Sequence, residues 1–166
     1  MTLAELNALP RYRAEEELLK CCGSKAWARV LARRRPFASF DRLSQASAEI
    51  WRSLDASDWM EAFASHPRIG ERKAEVQTSA AAWSGQEQSG MSRASAAVAS
   101  AMDEANQEYL AKFGFIFIIH ASGKTAEEML ANLRARLSNP PDQELRLAAE
   151  EQNKITLSRL KKLLPL

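Results

Sequence analysis

The stretch Phe113-Gly114-Phe115-Ile116-Phe117-Ile118-Ile119 differs in its pattern from the rest of the sequence. Its apolar run of β-branched and aromatic residues is typical of a buried strand. No second segment has a strand-like pattern that could pair with it. We therefore predict one short buried extended segment near residues 115–120. Its backbone amides and carbonyls need partners other than a sheet, and a bound ligand could supply some of them.

Helical signals occupy the sequence on both sides of this segment. Capping boxes, in which Thr2 pairs with Glu5 and Thr125 with Glu128, predict two helix starts. Single N-cap residues predict four more starts, at Asp41, Ser57, Ser92 and Asp142. Two glycines predict helix ends, at Gly23 and Gly114. The predicted fold class is all-α, a single-domain multi-helix bundle over residues 1–166 with one extended segment.

The composition excludes several classes of partner. Lys and Arg number 23 against 21 Asp and Glu in 166 residues, so the net charge of +2 creates no field that would attract a nucleic acid. No apolar stretch approaches the roughly 20 residues that span a bilayer. The two cysteines, Cys21 and Cys22, are adjacent and cannot join distant parts of a fold, which is typical of a reducing compartment. Because a signal-peptide pattern is also missing, we expect a cytoplasmic protein without a nucleic-acid or membrane partner.

Two histidines, His66 and His120, are the candidates for proton transfer. Pro67 disfavours helical backbone at residue 66, so His66 is predicted at a helix-to-loop boundary, followed by a surface loop over residues 67–78. A histidine can equally cap a helix or satisfy a buried carbonyl, and the local pattern leaves both roles open. The polar stretch around Glu87, also predicted as a loop, is either an exposed turn or a hydrogen-bonding surface.

Motifs for metals and nucleotide cofactors are absent from the sequence. It contains no His-x-x-x-His or Cys-x-x-Cys spacing, no Gly-x-Gly-x-x-Gly and no P-loop. A metal site could be built from His66, Glu87 and His120 only if the fold brought them together. We therefore predict neither a metal nor a cofactor.

Four segments in series resemble one known family. They are His66-Pro67-Arg68-Ile69-Gly70, Ser84 to Gln88, Phe113 to Ile119, and Glu151-Gln152-x-Lys154-Ile155 with Arg159-Leu160. In this order and at this spacing they are similar to the 2-oxo-4-hydroxy-4-carboxy-5-ureidoimidazoline (OHCU) decarboxylases. The resemblance covers nearly the whole chain, and its most specific part is the His-Pro-Arg-Ile-Gly block.

The resemblance implies an all-helical homodimer that acts in urate breakdown. It implies a carboxy-lyase that converts OHCU to (S)-allantoin without a cofactor. Position by position, it assigns catalytic roles to His66, for proton transfer, and to Glu87, the acidic member of the site. It assigns substrate contacts to Pro67, Ser84, Gly85, Gln86, Glu87, Gln88, Ile119, His120, Ala121, Ser122, Gly123 and Arg159.

Two positions depart from the pattern of the family. Residue 120 is His where many relatives carry Cys, and residue 122 is Ser where some carry Arg. Whether the side chains of His120 and Ser122 face the substrate is left open by the sequence.

Two other functions are compatible with the residues alone. A metal-dependent ureide hydrolase would use His66, Glu87 and His120 as ligands and would lose activity to chelators. A non-enzymatic helical interaction module would present the 115–119 run to a partner, and substitutions at His66 would leave its function intact.

Overall fold

The computed structural model describes residues 1–71 and 79–165. These residues form nine α-helices, one 3-10 helix and no strand, which confirms the all-α prediction. The helices are α1 (Leu3–Ala8), α2 (Arg11–Leu19), α3 (Lys25–Arg33), α4 (Phe40–Ser53), α5 (Ala56–Ala64), α6 (Ser79–Glu87), η1 (3-10, Ser89–Arg93), α7 (Ala96–Phe113), α8 (Ala126–Arg136) and α9 (Pro141–Leu163). Within the described ranges, no helix combines the length and the apolar character that crossing a membrane requires.

The chain divides into two compact units. One comprises Met1–Ala62 and Asn153–Leu166, and the other comprises Phe63–Gln152. The single domain over residues 1–166 stays a prediction.

The first unit is built around the buried faces of the N-terminal helices. Trp27 is fully buried, and its indole N–H donates to the carbonyl of Ser47 at 3.2 Å. Both cysteines lie just after the end of α2 and are buried, which raises the pKa of Cys22 to about 11 and the pKa of Cys21 further. The thiols therefore pack as small apolar groups at neutral pH.

Several predicted helix ends are confirmed and others shift by a few residues. Both capping boxes are present, and Gly114 ends α7 in the left-handed region with φ of 77°. Ser39 rather than Asp41 caps α4, and Ser95 rather than Ser92 caps α7, because their side chains accept the N–H three residues later.

Three other helix caps were also predicted at the wrong residue. Ser57 lies inside α5 and Asp142 inside the first turn of α9, which begins at Pro141, a residue that favours the first helical position. Lys20 rather than Gly23 is the C-cap of α2. Several residues near each helix end are compatible with a cap, and only the geometry of the folded chain selects one of them.

The loop predicted around Glu87 is wrong. Residues 84–87 are the last turn of α6, which begins at Ser79 and continues through Gly85 despite the low helix propensity of glycine. The alanines at 80–82 have high helix propensity, and residues 84–87 continue the same helix. Of the loop predicted over residues 67–78, residues 72–78 lie outside the described part of the chain.

The second unit contains the predicted extended segment. Phe115, Phe117, Ile118 and Ile119 are buried, and the segment has no regular secondary structure, as the sequence predicted. Side chains satisfy its backbone in place of a sheet: Arg136 donates to the carbonyl of Ile118 at 2.7 Å, and Glu151 accepts the N–H of His120 at 2.8 Å.

A buried polar network lies behind the segment. The guanidinium of Arg136 contacts the carboxylate of Glu144, with Nε at 2.7 Å and Nη2 at 2.5 Å from Oε1. The hydroxyl of Tyr109 donates to the same oxygen, and Asn139 donates to the other at 2.9 Å. The ring of Phe117 lies 4.5 Å from the guanidinium. Glu144 has no exposed surface, so these donors take the place of water around its charge.

Tyr109 should make stability depend on alkaline pH. Burial, with the hydrogen bond to Glu144, raises the pKa of Tyr109. The folded protein therefore retains a proton that the unfolded chain releases near pH 10. The free energy of unfolding should fall above about pH 10, with Tyr109 contributing up to about 1.4 kcal/mol per pH unit. Tyr109→Phe should remove this part of the slope in urea denaturation at a series of pH values.

The chain offers a matched control for this experiment. Its other tyrosine, Tyr12, is 65% exposed, so Tyr12→Phe loses no buried contact. The slope, rather than the absolute stability, is the quantity to compare, because Tyr109→Phe also removes a hydrogen bond. An equal slope in wild type and Tyr109→Phe would contradict the prediction.

Candidate functional site

His66 lies just beyond the end of α5, as predicted. The helix ends at Ala64, and the N–H of His66 still donates to the carbonyl of Phe63 at 3.1 Å. The side chain of His66 is half-buried. The ring of Phe63 packs against that of Phe115, with 5.3 Å between centroids, so the end of α5 is anchored on the extended segment.

The backbone after His66 is held at two points. The carbonyl of buried Ile69 accepts a hydrogen bond from the side chain of Asn106 on α7, at 2.9 Å. The N–H of Gly70 donates to Oε1 of Gln88 at 3.0 Å, and Gly70 has φ of +87°, a conformation that favours glycine. The segment 66–70 is therefore tied both to α7 and to the residue that follows α6.

The residues from Ser84 to Gln88 differ in how far they are buried. Glu87, the last residue of α6, is buried with 7% exposure, and Ser84 and Gln88 are half-buried. Gly85 and Gln86 are exposed. The helical geometry thus separates one predicted run of substrate contacts into buried and exposed members.

The segment 119–124 forms the third part of the site. Ile119 and Ala121 are buried, His120 is half-buried, and Ser122 and Gly123 are exposed in a turn closed by the N–H of Lys124 on the carbonyl of Ala121. The ammonium of Lys124 also donates to the carbonyl of His120 at 2.9 Å. The backbone of this segment is therefore held from several sides.

Gly90 connects the second and third segments. A Cβ atom placed on Gly90 would lie 2.1 Å from the carbonyl oxygen of Lys124. Real Cβ atoms do not approach backbone this closely, so η1 packs against the turn only because residue 90 lacks a side chain. No pattern in the sequence indicates this contact.

Gly90→Ala should therefore displace the turn at 120–124 and destabilise the protein. We expect a loss of about 1–3 kcal/mol in the free energy of unfolding, measured by urea denaturation, because the new methyl group meets backbone rather than a flexible side chain. Gly85→Ala is the matched control. A Cβ there meets nothing within 4 Å inside α6, so the change should stabilise by about 0.5–1 kcal/mol. Equal stability of the two variants would contradict the prediction.

Helix α9 contributes two residues to which the sequence analysis assigned no role. Nε2 of His66 lies 2.6 Å from Oε1 of Gln152, and the carboxylate of Glu151 holds the N–H of His120. The spacing of residues on α9 could have indicated Gln152. Gln152 lies four residues after Ala148 and three before Ile155, both of which are buried. It is therefore a polar side chain on the apolar face of the helix.

Arg159 belongs to the first unit, where it is buried with 4% exposure. Its charge favours the thiolate forms of Cys21 and Cys22, although burial has the larger effect on both pKa values. Its contact with a substrate stays a prediction.

The described residues do not form a metal-ligand cluster. Within residues 1–71 and 79–165, no three His, Cys, Asp or Glu side chains are grouped so that they could hold a metal ion. His66, Glu87 and His120 are all described, so they do not form the ligand set that the hydrolase alternative requires.

The sequence profile of the OHCU decarboxylase family matches residues 7–161. A curated relative, the uric acid degradation bifunctional protein TTL of Arabidopsis thaliana, is 41% identical over 152 residues, which are 90% of this chain and 47% of that protein. The chain thus spans about half the length of that relative. The OHCU decarboxylase of Amia calva is 34% identical over 127 residues, covering 76% of this chain and 73% of that protein.

A solved structure gives the same result. The crystal structure of an OHCU decarboxylase, determined in the presence of (S)-allantoin, superposes with a TM-score of 0.78 at 36% identity and covers 89% of this chain and 96% of that one. The family profile, over residues 7–161, includes all four segments named from the sequence. This chain belongs to the OHCU decarboxylase family.

Proposed function

We propose that this chain is a carboxy-lyase that converts OHCU to (S)-allantoin in urate breakdown, with His66 as its acid/base residue. The observation that carries the proposal is the position of His66. Its half-buried imidazole is hydrogen-bonded to Gln152, and the backbone that follows it is hydrogen-bonded through Gly70 to the side chain of Gln88. Its membership of the family supports the reaction, and the relative crystallised with (S)-allantoin supports a small-molecule substrate of this class.

The substrate supplies its own electron sink. Its ring carbon that bears the hydroxyl and the carboxylate lies beside a ring C=N bond. When the carbon–carboxylate bond breaks, its electron pair forms a ring C=C bond, and the C=N pair moves to the nitrogen, which takes up a proton. The enol then loses its hydroxyl proton and gains a proton at the carbon that carries the ureido group. The net change exchanges CO₂ for one proton and needs only orientation and proton transfer from the protein.

His66 has the chemistry that these proton steps require. An imidazole can take the hydroxyl proton and return a proton to carbon near neutral pH. Delivery to one face of the planar enol produces a single enantiomer. The hydrogen bonds at Ile69 and Gly70 hold the backbone that follows the imidazole, and the contact with Gln152 holds the ring itself.

Glu87 is proposed to bind the N–H groups of the ureido substituent or the ring. It is the last residue of α6 and only 7% exposed, and it is the acidic member that the family resemblance assigns to the site. Apart from the N–H of His120, which donates to Glu151, the backbone groups of residues 119–123 would contact the planar ring.

The homodimer and the cytoplasmic location are part of the same proposal. The family resemblance supports the first, and the pair of buried free cysteines supports the second.

The decisive experiment generates the unstable OHCU in situ from urate, with uricase and the hydrolase that acts on the product of uricase. This protein is then added. Circular dichroism should report rapid formation of (S)-allantoin. Racemic allantoin at the uncatalysed rate would overturn the proposal. Parallel samples with chelator or with added zinc test the ureide-hydrolase alternative, which requires activity that is lost and then restored.

A further inference from the structure

We propose that Gln152 is the positioning residue of His66: its buried carboxamide oxygen holds the Nε2–H of the imidazole and so sets the orientation and tautomer of the ring. The inference rests on the proposed function for its catalytic consequence, but the tautomer itself can be measured without any activity.

The geometry of the contact requires a proton on Nε2. Oε1 of Gln152 lies 2.6 Å from Nε2 of His66, across 86 residues of sequence. A carboxamide oxygen has no hydrogen and only accepts, so the imidazole must donate. A neutral ring that carries its hydrogen on Nε2 has its basic lone pair on Nδ1. Gln152 therefore determines which nitrogen of His66 can take a proton.

Burial makes this acceptor rigid. Gln152 has no exposed surface, and its neighbours on the same face of α9, Ala148 and Ala149, are buried as well. A side chain packed in this way has few rotamers, so the ring that binds it is held in one orientation before the substrate arrives.

The preceding residue of α9 holds another part of the site. The carboxylate of Glu151, which is 8% exposed, accepts the N–H of His120 at 2.8 Å. Two consecutive side chains of one helix thus fix the histidine at position 66 and the backbone at position 120. A change in either is expected to act on the geometry of the site rather than on the substrate directly.

The carboxamide is neutral, and this distinguishes it from the other residues that could fill the position. A carboxylate at residue 152 would accept the same hydrogen bond but would stabilise the imidazolium. An apolar residue would leave the Nε2–H of the half-buried ring without this acceptor. The two substitutions therefore change His66 in different and measurable ways.

The first test is Gln152→Leu. We expect kcat to fall about 10- to 100-fold with KM nearly unchanged, because the ring loses its fixed tautomer while the substrate contacts stay. In long-range ¹H–¹⁵N spectra of the ring nitrogens, wild type should show one tautomer with Nε2 protonated, and the variant a mixture. The chain has two histidines, so a His120→Gln sample assigns the signals. Gln143→Leu, the same change at an exposed position of α9, is the control.

The second test is Gln152→Glu, which keeps the acceptor and nearly the same shape. Because the carboxylate stabilises the charged imidazole, the limb of the kcat/KM profile that reports His66 should move to higher pH by about one unit. The tautomer of the neutral ring should stay as in wild type. This variant keeps the proposal testable if Gln152→Leu does not fold.

The outcomes separate the two proposals. A wild-type ring with Nδ1 protonated, or a folded Gln152→Leu protein with wild-type kcat and tautomer, would overturn the positioning role. So would a Gln152→Glu profile that does not move. Absence of OHCU turnover in wild type, with the Nε2–H tautomer present, would overturn the proposed function and leave the positioning role intact.

Discussion

His66→Gln is expected to lower kcat for OHCU by about 100- to 10,000-fold, the range that a positioned acid/base residue contributes. Glutamine is close to histidine in length and can donate from its amide nitrogen to Oε1 of Gln152, so the buried acceptor keeps a donor. It cannot take or give a proton near neutral pH. The loss should therefore appear in kcat, while the substrate still binds.

The coupled assay with chiral detection measures this rate, and thermal unfolding monitors the fold. His120→Gln is the matched comparison, because the backbone N–H and carbonyl of residue 120 keep their bonds to Glu151 and Lys124 after the substitution. We expect the fold-decrease in kcat for His120→Gln to be less than about a tenth of the fold-decrease for His66→Gln. A folded His66→Gln protein with more than a tenth of the wild-type kcat would refute acid/base catalysis by His66. It would instead favour a structural role or the interaction module.

Arg136→Met is expected to have the largest effect on stability, a loss of about 3–5 kcal/mol in the free energy of unfolding. The substitution keeps the unbranched stem of the side chain but leaves the carboxylate of Glu144 fully buried without its cationic partner. It also removes the donor to the carbonyl of Ile118, which is part of the extended segment. The carboxylate of Glu144 and the carbonyl of Ile118 would then stay buried without the contacts that offset their desolvation.

Urea denaturation at neutral pH measures this loss. Arg134→Met makes the same chemical change on the exposed side of α8 and should alter stability by less than about 0.5 kcal/mol. Adding Glu144→Gln to Arg136→Met should recover part of the loss, because no charge then stays buried alone. A loss below 1 kcal/mol for Arg136→Met, or no recovery in the double variant, would show that the pair does not stabilise the unit in this way.

Local signals in the sequence predicted most of the helices. The capping boxes at Thr2 and Thr125, and the glycine at 114, depend on contacts within three or four residues, which a sequence contains in full. The absence of a strand partner likewise predicted that residues 115–119 would be extended without a sheet. The prediction around Glu87 failed because a helix can continue through polar residues when its preceding turns favour it.

The candidate site could be predicted only in part. His66 was identified by its place before Pro67 and by the family resemblance, and Glu87 by the resemblance. The sequence left the role of each residue open between function and structure, because a histidine and a carboxylate have the same local pattern in both cases.

The helical class, the extended segment and the histidine at a helix end are predictable from the sequence, since each follows from hydrogen bonds and steric limits between near neighbours. Three contacts are visible only in the folded chain. Gln152 binds His66 across 86 residues, Gly90 approaches the backbone of Lys124, and Glu151 accepts the N–H of His120. Such contacts depend on how helices pack, and packing is set by the shapes of residues that are distant in sequence.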